Sequence, residues 1–378
     1  MTVGPLPPGA TIGMLGGGQL GRMAAVAAAR LGYRVHVLTP ERDSPASQVS
    51  AAATVAALDD ADALARFADS VPVATLEFEN VPVAALEALE RRGVVLRPGP
   101  GALAVCQDRL REKAFLESVG VPVPPWRPVR DRAGLDAAAR EVGLPAVLKT
   151  TRLGYDGRGQ AVLRAPADLD AAWERLSPRP LILEAFVPFA AEVSALVARG
   201  ADGATVTWDA AENRHAGGIL DATLFPARVP EAVAAAARAH AARVAEALGH
   251  VGVLAVEFFL LPGGALLGNE IAPRPHNSGH PTMDACGFGQ FEAQVRAAAG
   301  LPLGDTARHS DALMRNLIGA EGMARWPALL TTPGVVPHFY GKAEARPGRK
   351  MGHATRLLAR GALAGSSEAD VAVLLAGP

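Results

Sequence analysis

Glu257 and Glu270 are the residues on which a reaction could be built. They sit in two apolar runs, 254–261 and 265–272, separated by Pro262-Gly263-Gly264. Gly-Gly between strand-like runs signals a two-residue hairpin turn. With Pro262 opposite Ala265, counting outward sets Glu257 directly across from Glu270. Facing side chains on antiparallel strands are about 4.5–5.5 Å apart at Cβ, and like charges there repel. A hard cation between them removes the conflict, and Mg²⁺ takes one or two carboxylates together with phosphate oxygens. The same face is expected to carry the small residues Ala255, Gly268 and Ala272, leaving room for a ligand. The opposite face would carry Val256, Phe258, Leu260, Leu267 and Ile271, a core-like set. A solvated strand face would also tolerate two glutamates. Against that stands the loop Arg274-Pro275-His276-Asn277-Ser278-Gly279-His280, which adds a cation and several donors directly after the second carboxylate.

Three further stretches suit anionic ligands. Lys149 ends a strand and precedes Gly154-Tyr155-Asp156-Gly157-Arg158-Gly159-Gln160. Asp-Gly there also fits an ordinary β-turn. As a flap, the stretch would cover phosphates with its backbone N–H groups and Arg158, and Lys149 would add a point charge. Near the start, a strand runs into Gly16-Gly17-Gly18-Gln19-Leu20-Gly21, then a helix, a second strand and an acid, Glu41 or Asp43. This matches the dinucleotide fingerprint. It implies an anion at a helix N-terminus without saying which one. Glu77 and Glu79, at the carboxyl end of a strand expected over 71–78, would share a face by alternation. Near the other end, Lys342, Arg346, Arg349 and Lys350 place four cations within nine residues of a Gly-Pro loop. A solvated charge run would look similar, but that setting favours a fixed anion site.

The positioning elements follow from periodicity and punctuation. Strands are expected at 10–15, 34–38, 71–78, 146–149, 161–164, 180–184, 192–199, 205–209 and 336–340. Helices are expected from 19 to about 30 and at 102–119, 136–142, 169–176, 231–248 and 287–299. Arg97-Pro98-Gly99-Pro100-Gly101 closes a first unit, Val121-Pro122 opens a second, and a small region follows Pro302. The chain has 378 residues and a net charge of −1, so its balance implies no nucleic-acid surface. Two cysteines exclude a disulfide framework and fit a reducing, cytoplasmic setting. The N-terminal residues lack a basic and apolar leader, and no apolar run is long enough to span a membrane, so neither is expected.

Together the motifs GGGQLGRM, LEFENVP, QDRLREKAFL, LKTTRLGYDGRGQ, NEIAPRPHNSGH and RPGRKMGH, in this order, span nearly the whole chain. The chain resembles the N5-carboxyaminoimidazole ribonucleotide synthetase family of the ATP-grasp superfamily. GYDGRGQ and APRPHNSGH carry the resemblance; GGGQLGR alone would not. It implies a mixed α/β and α+β fold. A Rossmann-like pre-ATP-grasp domain would span 1–101, and an ATP-grasp domain 102–301, with a linking helix and subdomains at about 121–188 and 189–301. A small C-terminal domain would take 302–378. It implies an ATP- and Mg²⁺-dependent ligase that carboxylates 5-aminoimidazole ribonucleotide with bicarbonate through carboxyphosphate, in purine biosynthesis, and a homodimer.

By the same resemblance, Glu257 and Glu270 would hold the metal. Arg109, Lys149, Gly154, Tyr155, Asp156, Gly157, Arg158, Gly159, Gln160, Glu184, Ala185, Val187, Glu192, His215 and Asn269 would bind ATP. Arg274, His276, Asn277 and Lys350 would serve the one-carbon chemistry. Gly18, Gln19, Leu20, Glu77, Lys342, Arg346 and Arg349, with Tyr155, Asp156 and Arg158, would bind the ribonucleotide. Many ATP-grasp sites carry an Asn ligand two residues after the second glutamate. Here Ala272 stands there, as it does in this family. The alternatives are a sister ATP-grasp ligase, such as formate-dependent glycinamide ribonucleotide transformylase, a nicotinamide-dependent oxidoreductase built on the first glycine loop, and a non-catalytic nucleotide-binding protein.

Overall fold

Short apolar strands alternate with helices over residues 11–96, the pattern of a parallel sheet. The computed structural model, which describes residues 4–154 and 159–376, has that sheet. Its strands are β1 (Thr11–Leu15), β2 (Arg34–Thr39), β3 (Ala52–Val55), β4 (Val73–Leu76) and β5 (Val95–Leu96), in the order β3-β2-β1-β4-β5. Helices α1 (Gln19–Arg30), α2 (Ala61–Ala68) and α3 (Val83–Arg91) connect them. The strand order reverses between β1 and β4, where open α/β sheets bind ligands beyond their carboxyl ends. The strand expected over 71–78 stops at Leu76. Glu77 and Glu79 therefore lie in a bend, and strand alternation does not set their directions.

The single helix expected over 102–119 is two, α4 (Pro100–Cys106) and α5 (Arg109–Ser118). Asp108 breaks it. Its carboxylate accepts from the N–H groups of Leu110 at 3.0 Å and Arg111 at 3.4 Å, capping α5. This cap starts α5 at Arg109 and so places Arg109, Glu112 and Lys113 on one helix face.

A second, antiparallel sheet comprises β6 (Trp126–Val129), β7 (Ala146–Thr150), β8 (Gln160–Leu163) and β9 (Leu181–Ala185), in the order β6-β9-β7-β8. Helices α6 (Arg132–Val142) and α7 (Leu169–Leu176) cover it through Leu135, Ala138, Leu169 and Leu176.

The third sheet is the largest among the described residues. It contains β10 (Ala191–Arg199), β11 (Thr205–Thr207), β12 (Ala211–Ala216), β13 (Ile219–Phe225), β14 (Gly252–Leu260), β15 (Leu266–Ala272), β16 (Asp311–Ile318), β17 (Val335–Phe339) and β18 (Lys350–Leu358). The order is β15-β14-β10-β12-β13-β16-β18-β17, with β11 on β10. The C-terminal strands thus continue the sheet that carries the glutamates. Helix α8 (Glu231–Ala247) lays Val233, Ala237, Ala241 and Val244 on the core face of β10 and β14. The short α9 (Thr282–Ala285) leads to α10 (Gln290–Ala299), which packs on α1. Helices α11 (Gly319–Ala324) and α12 (Trp326–Thr331) follow β16, and α13 (Glu368–Ala376) ends the described chain. Among the described residues no helix is long and apolar enough to cross a membrane.

The β14–β15 hairpin corrects the expectation in detail while keeping its outcome. The turn has three residues, Pro262, Gly263 and Gly264, because Leu261 N–H donates to the Ala265 carbonyl at 2.8 Å. Gly263 and Gly264 both have positive φ, 98° and 93°, which glycine adopts without a Cβ penalty. The pairing near the turn is Leu260 with Leu266 and Phe258 with Gly268. A register shift at Asn269 then restores Glu257 opposite Glu270. The longer turn and the bulge cancel. Consequently Gly268 lies on the core face against Leu116 and Val121, and the half-buried Leu267 pairs with Phe259 on the glutamate face, the reverse of the two-residue-turn expectation.

Candidate active site

Glu257 and Glu270 project from paired positions of β14 and β15. Burial first, and then the Glu270 charge, push the Glu257 carboxyl above its ordinary range. Arg109, aimed from the start of α5, approaches Glu270 at 3.3 Å. Nε2 of His276 lies 3.1 Å from Oε1 of Glu257. Two facing carboxylates, of which Glu257 is held back from ionising, form an all-oxygen donor set that suits a hard cation, and Mg²⁺ fits it.

Two clefts meet at Glu270. One, of about 760 Å³, opens between the first sheet, the 270–280 loop and the basic loop. The other, of about 720 Å³, lies between the second and third sheets. Arg109, Glu270, His276, Asn277 and Lys350 line both. At this junction the Asn277 side chain is buried, and neither its Oδ1 nor its Nδ2 has a partner among the described residues. Unpaired buried amide groups are costly and call for a ligand or water.

The second cleft has an apolar part, with Val147, Val162 and Phe186, and a ring pair, Phe189 stacked on Phe259 at 5.0 Å. Its polar part holds Lys149, Gln160, Glu192, His215 and Asn269. His215 Nδ1 is 2.7 Å from Glu192, whose charge outweighs burial and raises the imidazole. Lys149 pairs with Glu184 at 3.0 Å, and Lys113 reaches the same carboxylate at 3.3 Å. Burial favours a protonated Glu184, but the two ammonium groups overrule it and hold the carboxyl at about 2. Burial also draws Lys149 downward against Glu184. Ala185 and Val187 follow Glu184 at the exit of β9, and Gly159, at a φ of 72°, precedes β8. Gly154 lines the first cleft instead, and its carbonyl accepts from Arg109 at 3.5 Å. Tyr155, Asp156, Gly157 and Arg158 lie outside the described residues.

The first cleft gathers Gln19, Leu20, Glu77, Glu79, Arg274, Lys342, Arg346 and Arg349. Arg274 pairs with Glu79. Burial would raise that carboxyl, but the guanidinium brings it down to about 2. In the basic loop Arg346 pairs with the exposed Glu344 at 2.5 Å. Burial and the neighbouring Arg349 pull Lys342 down to about 8. The glycine loop is closed from within. Glu77 accepts from the N–H groups of Gly18 and Gly21, and its Cγ lies 2.4 Å from where a Cβ on Gly16 would be. The loop amides at the start of α1 therefore face a carboxylate of the protein itself, which does not suit a dinucleotide pyrophosphate.

Several site residues were missed by sequence reasoning. Glu112 is buried, accepts the Ile271 N–H at 2.6 Å and lines the first cleft. Burial, opposed by Arg109, raises it to about 8. Lys113 donates to the carbonyls of Gly268 at 3.2 Å and Asn269 at 2.7 Å, securing the bulge. Gln290 accepts the His276 N–H at 2.8 Å and donates to the His276 carbonyl at 2.9 Å. The spacing of Arg109, Glu112 and Lys113 could have flagged the first two. Nothing local marks Gln290.

The fold and the paired clefts define an ATP-grasp ligase. Residues 9–107 match the ribonucleotide synthetase preATP-grasp domain, 114–291 the ATP-grasp domain, and 312–363 the phosphoribosylaminoimidazole carboxylase C-terminal domain. An N5-carboxyaminoimidazole ribonucleotide synthase from Brucella melitensis is 50% identical over 94% of this chain and 98% of its own length. One from Bacillus subtilis is 43% identical over 92% and 91%. The N5-carboxyaminoimidazole synthetase of Staphylococcus aureus, solved with ADP, superposes with a TM-score of 0.92 at 34% identity, covering 99% of this chain and 98% of that one. The Aspergillus clavatus enzyme with ADP and 5-aminoimidazole ribonucleotide gives 0.87 at 31%, covering 93% and 94%. The chain belongs to the N5-carboxyaminoimidazole ribonucleotide synthase family.

Proposed function

We propose that this enzyme uses ATP and bicarbonate to carboxylate the exocyclic amine of 5-aminoimidazole ribonucleotide, a step of purine biosynthesis. The products are N5-carboxyaminoimidazole ribonucleotide, ADP and phosphate. The observation that carries this reading is the meeting of two clefts at Arg109, Glu270, His276, Asn277 and Lys350. A nucleotide in one cleft and a ribonucleotide in the other would bring their reacting ends to the same side chains.

The second cleft would take ATP. Adenine would lie among Val147, Val162, Phe186 and Phe189, its edge read near Glu184, Ala185 and Val187, with the ribose at Glu192 and His215. Lys149, Arg109 and the 154–160 loop would meet the phosphates. Mg²⁺ held by Glu257 and Glu270 would neutralise charge on the β- and γ-phosphates. Arg274, His276 and Asn277 would hold bicarbonate while its oxygen attacks the γ-phosphorus and ADP departs. The amine nitrogen would then attack the carboxyl carbon of carboxyphosphate. Phosphate leaves and the nitrogen loses a proton. Lys342, Arg346 and Arg349 would hold the ribonucleotide phosphate, and Glu77 with the 18–20 turn would wall its base. Burial, with Arg274 and Lys350 adding to it, brings His276 down to about 3, so it serves these steps as a neutral imidazole. We further infer domains at 1–101, 102–301 and 302–378, a homodimer and a cytoplasmic location.

The test is phosphate release from ATP. Full turnover is expected only with bicarbonate and 5-aminoimidazole ribonucleotide together, and formate should not replace bicarbonate. ATP hydrolysis indifferent to the ribonucleotide would sink the assignment.

A further inference from the structure

Behind His276, four buried polar side chains cross neighbouring strands of the third sheet. Thr223 on β13 donates from Oγ1 to Oδ1 of Asn213 on β12 at 3.1 Å. Asn213 donates from Nδ2 to Oγ of Ser194 on β10 at 3.0 Å. Ser194 donates to Oγ of Ser278 at 2.8 Å, and Ser278 Oγ lies 2.8 Å from Nδ1 of His276. Asn213 pairs with Thr223, and Ser194 pairs with Glu257, in the strand register. The row therefore ends at the metal-type carboxylate.

The direction of this row is not free. The backbone N–H of Ser278 donates to His276 Nδ1 at 3.3 Å, and an N–H cannot accept, so Nδ1 presents a lone pair. Ser278 Oγ–H must then also donate to Nδ1. Its oxygen is left to accept from Ser194, whose oxygen accepts from the Asn213 amide, whose carbonyl accepts from Thr223. A single polarity satisfies every group, and hydrogen bonds aligned in one sense reinforce each other. With Nδ1 as acceptor, the ring proton is on Nε2, 3.1 Å from Glu257 Oε1.

We propose that Thr223, Asn213, Ser194 and Ser278 are positioning residues. They lock His276 as the Nε2–H tautomer, and its proton orients Glu257 for the cation. His276 thus steers the carboxylate and does not act as a base through Nε2. This rests on the reading of Glu257 as a metal ligand. Partners behind first ligands govern metal affinity to about 10–100-fold.

The test uses the full-length enzyme with ¹⁵N-labelled histidine, without metal or nucleotide. His276 resonances are assigned by their loss in His276→Gln. Wild type should show a pyridine-type Nδ1 and a pyrrole-type Nε2. A protonated Nδ1 overturns the proposal outright. Ser278→Ala should mix the two tautomers and raise the Mg²⁺ midpoint of ATP turnover about tenfold. Ser194→Ala should do both to a smaller extent, with metal-free ADP affinity unchanged. Unmoved midpoints in both variants, whatever the tautomer, overturn the role assigned to the row. If the wild type proves not to carboxylate the ribonucleotide yet shows the Nε2–H tautomer, the function fails while the tautomer lock stands.

Discussion

At the residue scale, the central fact is a pair of facing carboxylates in which burial and the Glu270 charge hold Glu257 back from ionising. Glu270→Gln removes one charge and the repulsion together. We expect ATP turnover to fall about 100-fold or more, the loss of several kcal/mol of phosphate stabilisation, with the metal-free fold no less stable by urea denaturation. A near-normal rate would remove the pair from the metal site. The same groups predict a pH dependence. Glu257 and Glu112 are pushed up, Glu112 to about 8. Between pH 6.5 and 8 the folded state keeps protons that the unfolded state has released, so stability falls as pH rises. His276 and His250, drawn down to about 3 and 4, oppose that slope near pH 6.5, where unfolded imidazoles are still half protonated. The decline is therefore read above about pH 7.5, where Lys342, drawn down to about 8, works against the two carboxyls. Urea melts without metal should show the decline, and Mg²⁺ should flatten it; a rise would refute it. Arg349→Ala, in the basic loop, should raise the ribonucleotide KM about 10–100-fold, one charge-assisted contact, and leave the ATP KM near its starting value. An unchanged ribonucleotide KM would take the loop out of the site. The facing glutamates were legible in the sequence, though by two local errors that cancelled. The supporting residues Lys113 and Gln290 were not, because they meet the site only through long-range packing, Lys113 on the Asn269 carbonyl and Gln290 on His276.

At the element scale, a cap and a bulge decide which groups reach the clefts. Asp108 starts α5 where Arg109 can face Glu270. Asp108→Ala should cost about 1 kcal/mol locally, read as roughly fivefold faster exchange of the first-turn amides of α5. Unaltered exchange would mean that Arg109 is placed by its tertiary contacts alone. Strands β1, β2, β4, β7, β8 and β9 and helices α1, α6 and α7 were legible to within a few residues, because their periods are clean and their ends carry Asp, Gly or Pro. The short β3, β5 and β6 and the helices α2 and α3 were not. The break at 107–108 was not, since Gln-Asp inside a helical pattern signals a cap only once the neighbouring strand is known. The bulge at Asn269 was hidden for a similar reason, because Lys113, which holds its carbonyl, arrives from 156 residues away in sequence.

At the scale of the whole molecule, α10 ties the sheets together. Gln294 accepts the Val253 N–H of β14 at 2.6 Å and donates to Thr75 Oγ1 of β4 at 2.6 Å. Arg97 reaches back from the first sheet to the carbonyls at the end of α10. One buried side chain therefore joins the first sheet directly to the third. Gln294→Ala strands two buried groups and should destabilise the protein by about 2–4 kcal/mol in urea. If stability changes by less than about 1 kcal/mol, water fills the gap and the tie is dispensable. The tripartite plan was legible from the order of motifs. That the C-terminal strands extend the third sheet was not, because strand partners far apart in sequence leave no local mark.

The Glu77 carboxylate lodged in the glycine loop has a last consequence. A nucleotide-binding cradle can be retired without being dismantled, by giving it a permanent tenant. The loop keeps its glycines because that tenant sits too close for any Cβ, so the fingerprint persists as packing. Nicotinamide dinucleotides would meet a stopper where the motif advertises a vacancy, and the crevice beside it is left to a ligand with a single phosphate.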